Sequence, residues 1–228
     1  MEECRPIPRM GEAVPADASL LRRRLAEALA GLLDRVDAKE GHAHRHAQRV
    51  ARLAEAVAAQ LGVEGERRAT LQLGAFLHDI GKLAVPDAIL RKPAPLTAEE
   101  WEVMRSHSEE GERVLAPIVR AVARLVPEPC SRDLLTIVRS HHERWDGHGY
   151  PDGVAGEEIA LGARIVAICD AFEAMTEARP YRPPRTREAA FEELLRHAGT
   201  QWDPACVDSL LGIVTESGIR FPARPLAA

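Results

Sequence analysis

Five histidines and two aspartates stand where a folded chain could gather them for chemistry: His46, His78 with Asp79, His107, His141 with His142, and Asp170. Imidazole nitrogens and carboxylate oxygens are ligands for divalent transition metals, and a carboxylate can bridge two of them. Seven such groups exceed what one tetrahedral ion needs, so two ions sharing Asp79 are the economical arrangement. The nucleus of the pattern is LGAFLHDIGK, residues 73–82, where an apolar helix ends in the His78-Asp79 pair. Taken alone, that pair reads more readily as an ordinary helix end, with Asp79 solvated and Gly81 as the cap. Asp170 shifts the balance, because it is set among Ile165, Ile168, Cys169 and Phe172. A carboxylate in such company is rarely buried unless it is paired, hydrogen-bonded or metal-bound. Cys169 points about 100° away around the helix and is not needed. His42, His44 and His46 open another helical segment. His42 and His46 share one face of it and His44 does not, and by themselves the three read as solvated.

The elements that must position these groups are helices. Apolar residues recur at helical spacing in Ser19–Val36, in the segment from His42 to Leu61, in Glu66–Ile80, in Ile159–Ala178, and in Glu188–His197 and Pro204–Glu216. The proline-rich connection LAVPDAILRKPAPL has room for one short turn at Asp87–Leu90. Thr97 and Glu100 form a capping box for a helix that carries His107 at mid-length. Ser131 is a good N-cap for the helix closed by His141 and His142. DGHGYPDGVAGEE is a loop holding Tyr150, and RPYRPPRTR is a basic loop. Almost nothing alternates with period two and nothing repeats. The expectation is an all-α single helical bundle, with a disordered tail at 1–17, a packing helix at 18–40, the main domain at 41–216 including an extra C-terminal helical portion, and a loose tail at 217–228.

Composition narrows the classes further. With 46% hydrophobic and 29% charged residues the chain reads as soluble and globular, and its net charge of −5 argues against nucleic acid as a partner. Four separated cysteines without a C-x-x-C pair argue against a zinc ribbon or a disulfide framework. The charged, proline-bearing N-terminus lacks a signal-peptide core, and no stretch reaches about 18 uninterrupted apolar residues. The expectation is a cytoplasmic protein with no membrane partner.

The motifs HAQRV, HDIGKLAVPDAILRKP, LTAEEW, SHSEEG, HHERWDGHGYPDG, ARIVAICDAFEAM, RPYR and GTQWDP occur in order between about His46 and Leu211. In these the chain resembles the HD-GYP family, a branch of the HD-domain metal-dependent phosphohydrolases. The resemblance implies a helical HD-type bundle with two or three divalent ions, iron or manganese first, nickel or zinc as alternatives. It also implies hydrolysis of cyclic di-GMP to pGpG or GMP by a metal-bridging hydroxide. By the same resemblance His46, His78, Asp79 and Asp170 would hold one ion, and Asp79, His107, His141 and His142 the other. Lys82 would join Asp79 in catalysis and lean over the scissile phosphate. Tyr150, Arg179 and Arg182 would contact the ligand, and an arginine fork suits phosphate oxygens.

The chain departs from the family pattern at three places. His42 stands where three-metal members carry a glutamate, so it is the candidate ligand for a third ion, although a binuclear site is the preferred reading. Glu173 stands where a second aspartate is common, and Ala94 replaces a frequent turn glycine. The alternatives to an enzyme acting on cyclic di-GMP are a weakly catalytic cyclic-dinucleotide sensor or scaffold, binding a partner such as a diguanylate cyclase through the GYP loop, and a phosphohydrolase for another nucleotide such as cyclic GMP-AMP. No input domain is expected within the first 40 residues, and the helix Ser19–Val36 is a candidate surface for a homodimer.

Overall fold

Helical spacing of apolar side chains is what the chain uses to build its bundle. The computed structural model describes residues 29, 31–32, 34–39, 41, 43–122, 128–177 and 184–216. The described part of 29–39 is helical. It is followed by α1 (Ala43–Gln60), α2 (Gly65–Leu77), a tight 3-10 turn (Ile80–Ala84), α3 (Asp87–Leu90), α4 (Ala98–Arg105) and α5 (His107–Val122). Then come α6 (Glu128–Ser140), α7 (Leu161–Thr176), α8 (Arg187–Arg196) and α9 (Pro204–Glu216). Among the described residues there is no strand, only an isolated bridge between Ala198 and Trp202. The all-α expectation holds, and none of the helices described is long and apolar enough to cross a membrane.

Two apolar cores hold the helices together. The larger gathers Val50, Val57, Leu71, Ile165, Ile168, Phe172, Phe191, Leu194 and Leu210 from α1, α2, α7, α8 and α9. The smaller gathers Leu29, Val36, Ala43, Leu77, Ile80, Leu115 and Val138. Each fully buried leucine, isoleucine or phenylalanine contributes roughly 1.5–3 kcal/mol against exposure. α1 and α6 serve both cores: Ala43 and Val138 face the smaller one, Val50 and Ile137 the larger. The metal-ligand candidates of these two helices, His46 and His141, therefore fall near the junction of the cores. Lys39 ties the N-terminal helical segment to the 3-10 turn by donating to Leu83 O at 3.0 Å and Val85 O at 2.8 Å.

Three boundaries differ from the sequence reading. The helix expected through His107 breaks at Ser106, so His107 opens α5 and does not sit at mid-helix. Ser106 Oγ donates to Val103 O at 2.7 Å and His107 Nδ1 to Met104 O at 2.7 Å, side-chain bonds that compete with helix continuation. Helix α6 starts at Glu128, upstream of Ser131. Pro129 in its first turn lacks only an N–H that has no intrahelical partner there. Helix α2 ends at Leu77, which leaves His78 at the cap and Asp79 outside it. The capping box of α4 is formed as read, with Glu100 N–H on Thr97 Oγ1 at 3.2 Å and Thr97 N–H on Glu100 Oε2 at 2.8 Å.

Candidate metal centre

Helix ends deliver most of the ligand candidates to one place. Asp79, His107, His141 and His142 offer one ligand atom each within 4.8 Å of one another, and His46, His78 and Asp79 do the same. Asp79 belongs to both groups, as the two-ion arrangement requires. Asp170 stands beside the His46, His78 and Asp79 group, with Oδ1 at 2.9 Å from His46 Nε2 and 3.9 Å from His78 Nε2. Asp79 Oδ2 lies 3.3 Å from His78 Nε2, and its Oδ1 lies 3.4 Å from His107 Nε2. All seven ligand candidates of the sequence reading are thus brought together.

Three rings are aimed by main chain. His78 Nδ1 donates to Ala75 O at 2.7 Å, His107 Nδ1 to Met104 O at 2.7 Å, and His141 Nδ1 to Val138 O at 2.8 Å. A carbonyl only accepts, so each Nδ1 carries a proton, and in the neutral ring Nε2 is left as a lone pair. The same bonds engage carbonyls in the last turns of α2, α4 and α6, where intrahelical donors run out. The freed nitrogens crowd: His107 Nε2 is 3.4 Å from His141 Nε2 and 3.2 Å from His142 Nε2. His78 Nε2 is buried without a well-aligned hydrogen bond. Converging lone pairs beside two carboxylates suit cations, and imidazole with carboxylate is a donor set for divalent transition metals.

Electrostatics divide the rings, with His78 favouring its protonated form and His107, His141 and His142 their neutral one. Burial pushes the His78 imidazole down, but the Asp79 carboxylate, with Asp170 behind it, overrides this and holds it at about 9. Burial pushes His142 down to about 3 with the help of His107, and it pushes His141 well below the usual range with the help of His142. Asp79 is held well below the usual carboxylate range against its own burial by Lys82 and His78. Asp170 is held low in the same way by His46 and His78. The centre keeps two ionised carboxylates among imidazoles most of which resist protonation.

The loop after α6 carries Tyr150 to the rim. Its ring stacks on His142 at 4.8 Å between centroids and 29° between planes, and the Arg105 guanidinium carbon lies 4.6 Å from the ring centroid. Gly149 leaves no room for a Cβ, which would come within 2.3 Å of Arg144 N. The Trp145 and Asp146 amides donate to Gln201 O at 3.2 Å and Thr200 O at 2.8 Å, so the GTQWDP segment fastens the loop from behind. Arg139 grips Asp152 from outside through Nε and Nη2, both at 2.7 Å. Lys82 Nζ donates to Asp79 Oδ2 at 2.8 Å. His42, Arg179 and Arg182 lie outside the described residues.

Several supporting residues escaped the sequence reading. Glu143, buried at the loop's root, accepts the Asp152 and Gly153 amides on Oε1 at 2.7 and 3.1 Å. Its other oxygen is buried without a partner, and burial raises the carboxyl despite these bonds. Glu143→Ala should expose both amides, and hydrogen exchange at Asp152 and Gly153 is expected to speed roughly tenfold or more, as for loss of a hydrogen bond to a charged acceptor. Unchanged exchange would show that the loop is held elsewhere. Glu173, a departure from the family pattern, takes Arg49 Nε on Oε2 at 2.6 Å. Arg105 gave no signal beyond being a charged residue in a helix.

The HD domain family model matches residues 32–206. The chain belongs to the HD domain family, and with His78-Asp79 and Gly149-Tyr150-Pro151 in place it is a member of the HD-GYP branch. The cyclic di-GMP phosphodiesterase response regulator RpfG of Xanthomonas campestris pv. campestris is 38% identical over 196 residues, which is 86% of this chain and 50% of that protein. The 3'3'-cGAMP-specific phosphodiesterase 2 of Vibrio cholerae is 36% identical over 191 residues, 84% of this chain and 35% of that protein. The chain therefore spans half or less of the length of these relatives. The crystal structure of a cyclic GMP-AMP specific phosphodiesterase of V. cholerae, V-cGAP3, shares the fold with a TM-score of 0.60 at 19% identity, over 84% of this chain and 49% of that one. An HD domain implies divalent metal binding, and the two groups around Asp79 are built of residues that could hold such ions.

Proposed function

We propose that the chain is a metal-dependent phosphodiesterase that opens cyclic di-GMP to pGpG, with GMP as a further product. The observation that carries this reading is the pair of ligand groups sharing Asp79 directly beneath the Tyr150 rim. A relative named a cyclic di-GMP phosphodiesterase supports the substrate class. His46, His78, Asp79 and Asp170 would hold one divalent ion and Asp79, His107, His141 and His142 a second, iron or manganese by the family resemblance, since mixed imidazole and carboxylate donors accept nickel or zinc as well. Such ions, when bound, supply an activated water and neutralise charge on phosphoryl oxygens. The chain's own residues do the rest. Lys82, whose Nζ donates to Asp79 Oδ2 at 2.8 Å, would offer its ammonium to a phosphate oxygen. Tyr150 offers an aromatic edge at the rim, and Arg179 with Arg182 would clasp a phosphate bidentately. His42 would be the candidate ligand for a third ion, with a two-ion site the preferred reading.

A 3'3'-cGAMP substrate is the second reading, favoured by a relative of that name at nearly equal identity. Protein purified without oxygen and loaded with Mn2+ is expected to convert cyclic di-GMP to pGpG faster than it converts 3'3'-cGAMP, as read by chromatography of the products. The reverse preference would exchange the two readings. A manganese-loaded protein that binds both and leaves both intact would make it a sensor.

A further inference from the structure

Three ligand rings are aimed by carbonyls at helix ends, but His46 lies inside α1 and is aimed differently. Its Nδ1 is buried with no hydrogen-bond partner. The carboxylate of Glu177 stands just beyond α7 with Oε2 3.6 Å from that nitrogen. A true hydrogen bond needs this gap closed by roughly half an ångström. Glu177 is three-quarters buried, and its other oxygen is engaged, since Oε1 ion-pairs with Arg49. Arg49 follows His46 by three residues on α1, so ring and guanidinium project toward the same end of α7. Arg49 also holds Glu173 Oε2 at 2.6 Å, which anchors the pair to α7. The Glu177 backbone is fixed too, its N–H donating to Glu173 O at 2.9 Å.

We propose that Glu177 is a positioning residue for His46: it accepts the Nδ1 proton and so turns the Nε2 lone pair toward Asp170 and the ion they share. The inference rests on His46 being a ligand. A ligating Nε2 cannot keep a proton for Asp170, so the ring's one proton must sit on Nδ1. In that buried position the proton needs an acceptor, and Glu177 Oε2 is there to take it. A carboxylate behind a ligating imidazole also raises the ring's basicity.

The test is Mn2+ binding to the full chain, read from free-ion paramagnetic resonance, for wild type, Glu177→Ala, Glu177→Gln and His46→Ala. Glu177→Ala is expected to weaken one of the two ions by roughly tenfold to a hundredfold, the range for loss of a group that orients a metal ligand. The other ion and the melting of the metal-free protein should stay close to wild type. Glu177→Gln keeps an oxygen acceptor and loses the charge, so it should restore most of the affinity. In the zinc-loaded protein, 15N spectra should show a protected Nδ1 proton on His46 that exchanges with water in Glu177→Ala. Equal losses in the alanine and glutamine variants, or no loss in either, would overturn the proposal. If His46→Ala loses one ion while Glu177→Ala loses none, only the role of Glu177 fails. If His46→Ala keeps both ions, the ligand reading itself fails.

Discussion

Gly81→Ala is expected to cost the chain a large share of its folding free energy. Gly81 lies in the 3-10 turn after the His78-Asp79 pair, where the backbone runs against α5 with no side chain between. A Cβ there would fall 1.8 Å from His107 O and 2.4 Å from Gly111 N. Both are main-chain atoms and cannot rotate aside, while carbon contacts are favourable only at about 3.5–4.0 Å. Relief would require moving the turn off α5, and with it Asp79 and Lys82 away from His107. The expected loss is more than about 4 kcal/mol, out of a total that for domains of this kind is about 5–15 kcal/mol. Urea denaturation of the metal-free protein checks it. Gly31→Ala, in the N-terminal helical segment with nothing within 4 Å of a new Cβ, is the control and should be neutral or slightly stabilising. A Gly81→Ala protein with the wild-type midpoint would show that the two backbones part at little cost.

Asp79→Asn is expected to empty the centre while leaving its shape. The amide matches the carboxylate in size, but it cannot bridge two cations as an anion, and Asp79 is the group common to both ligand sets. Manganese bound per chain should fall for both ions together, and turnover of cyclic di-GMP should drop by more than the roughly hundredfold that loss of a supporting outer group costs. His142, in contrast, belongs to one group only. His142→Ala should therefore release one ion and spare the other. An Asp79→Asn protein that still holds two ions tightly would refute the shared ligand.

The sequence exposed the candidate ligands because their types are out of place. Asp170 among isoleucines and phenylalanine, and His78-Asp79 at the end of an apolar run, conflict with burial unless something compensates them, and the structure puts the compensating partners within 4 Å. The capping box at Thr97 was equally legible, since it is a local chemical pattern. Supporting groups were hidden for the opposite reason. Glu143, Glu177 and Arg49 sit in charged stretches that look solvated, and only the packing of α1 on α7, or of the loop on its own root, reveals whom they face. The break at Ser106 depends on side chains bonding to their own backbone, which propensity and periodicity do not weigh. Gly81 looked like a helix cap, whereas its lack of a side chain is needed for the approach of α5, a contact 26 or more residues distant in sequence.

The bonds from His78, His107 and His141 to helix-end carbonyls also set a clock. Each ring is fastened to the last turn of a helix, so for it to swing away costs a buried hydrogen bond, least when that turn itself has loosened. Side chains on a surface change rotamer in picoseconds to nanoseconds, while local unfolding takes microseconds to seconds. Residence of an ion held by these rings would then depend on how seldom α2, α4 and α6 fray, and stiffening those three helix ends would lengthen it without altering a candidate ligand.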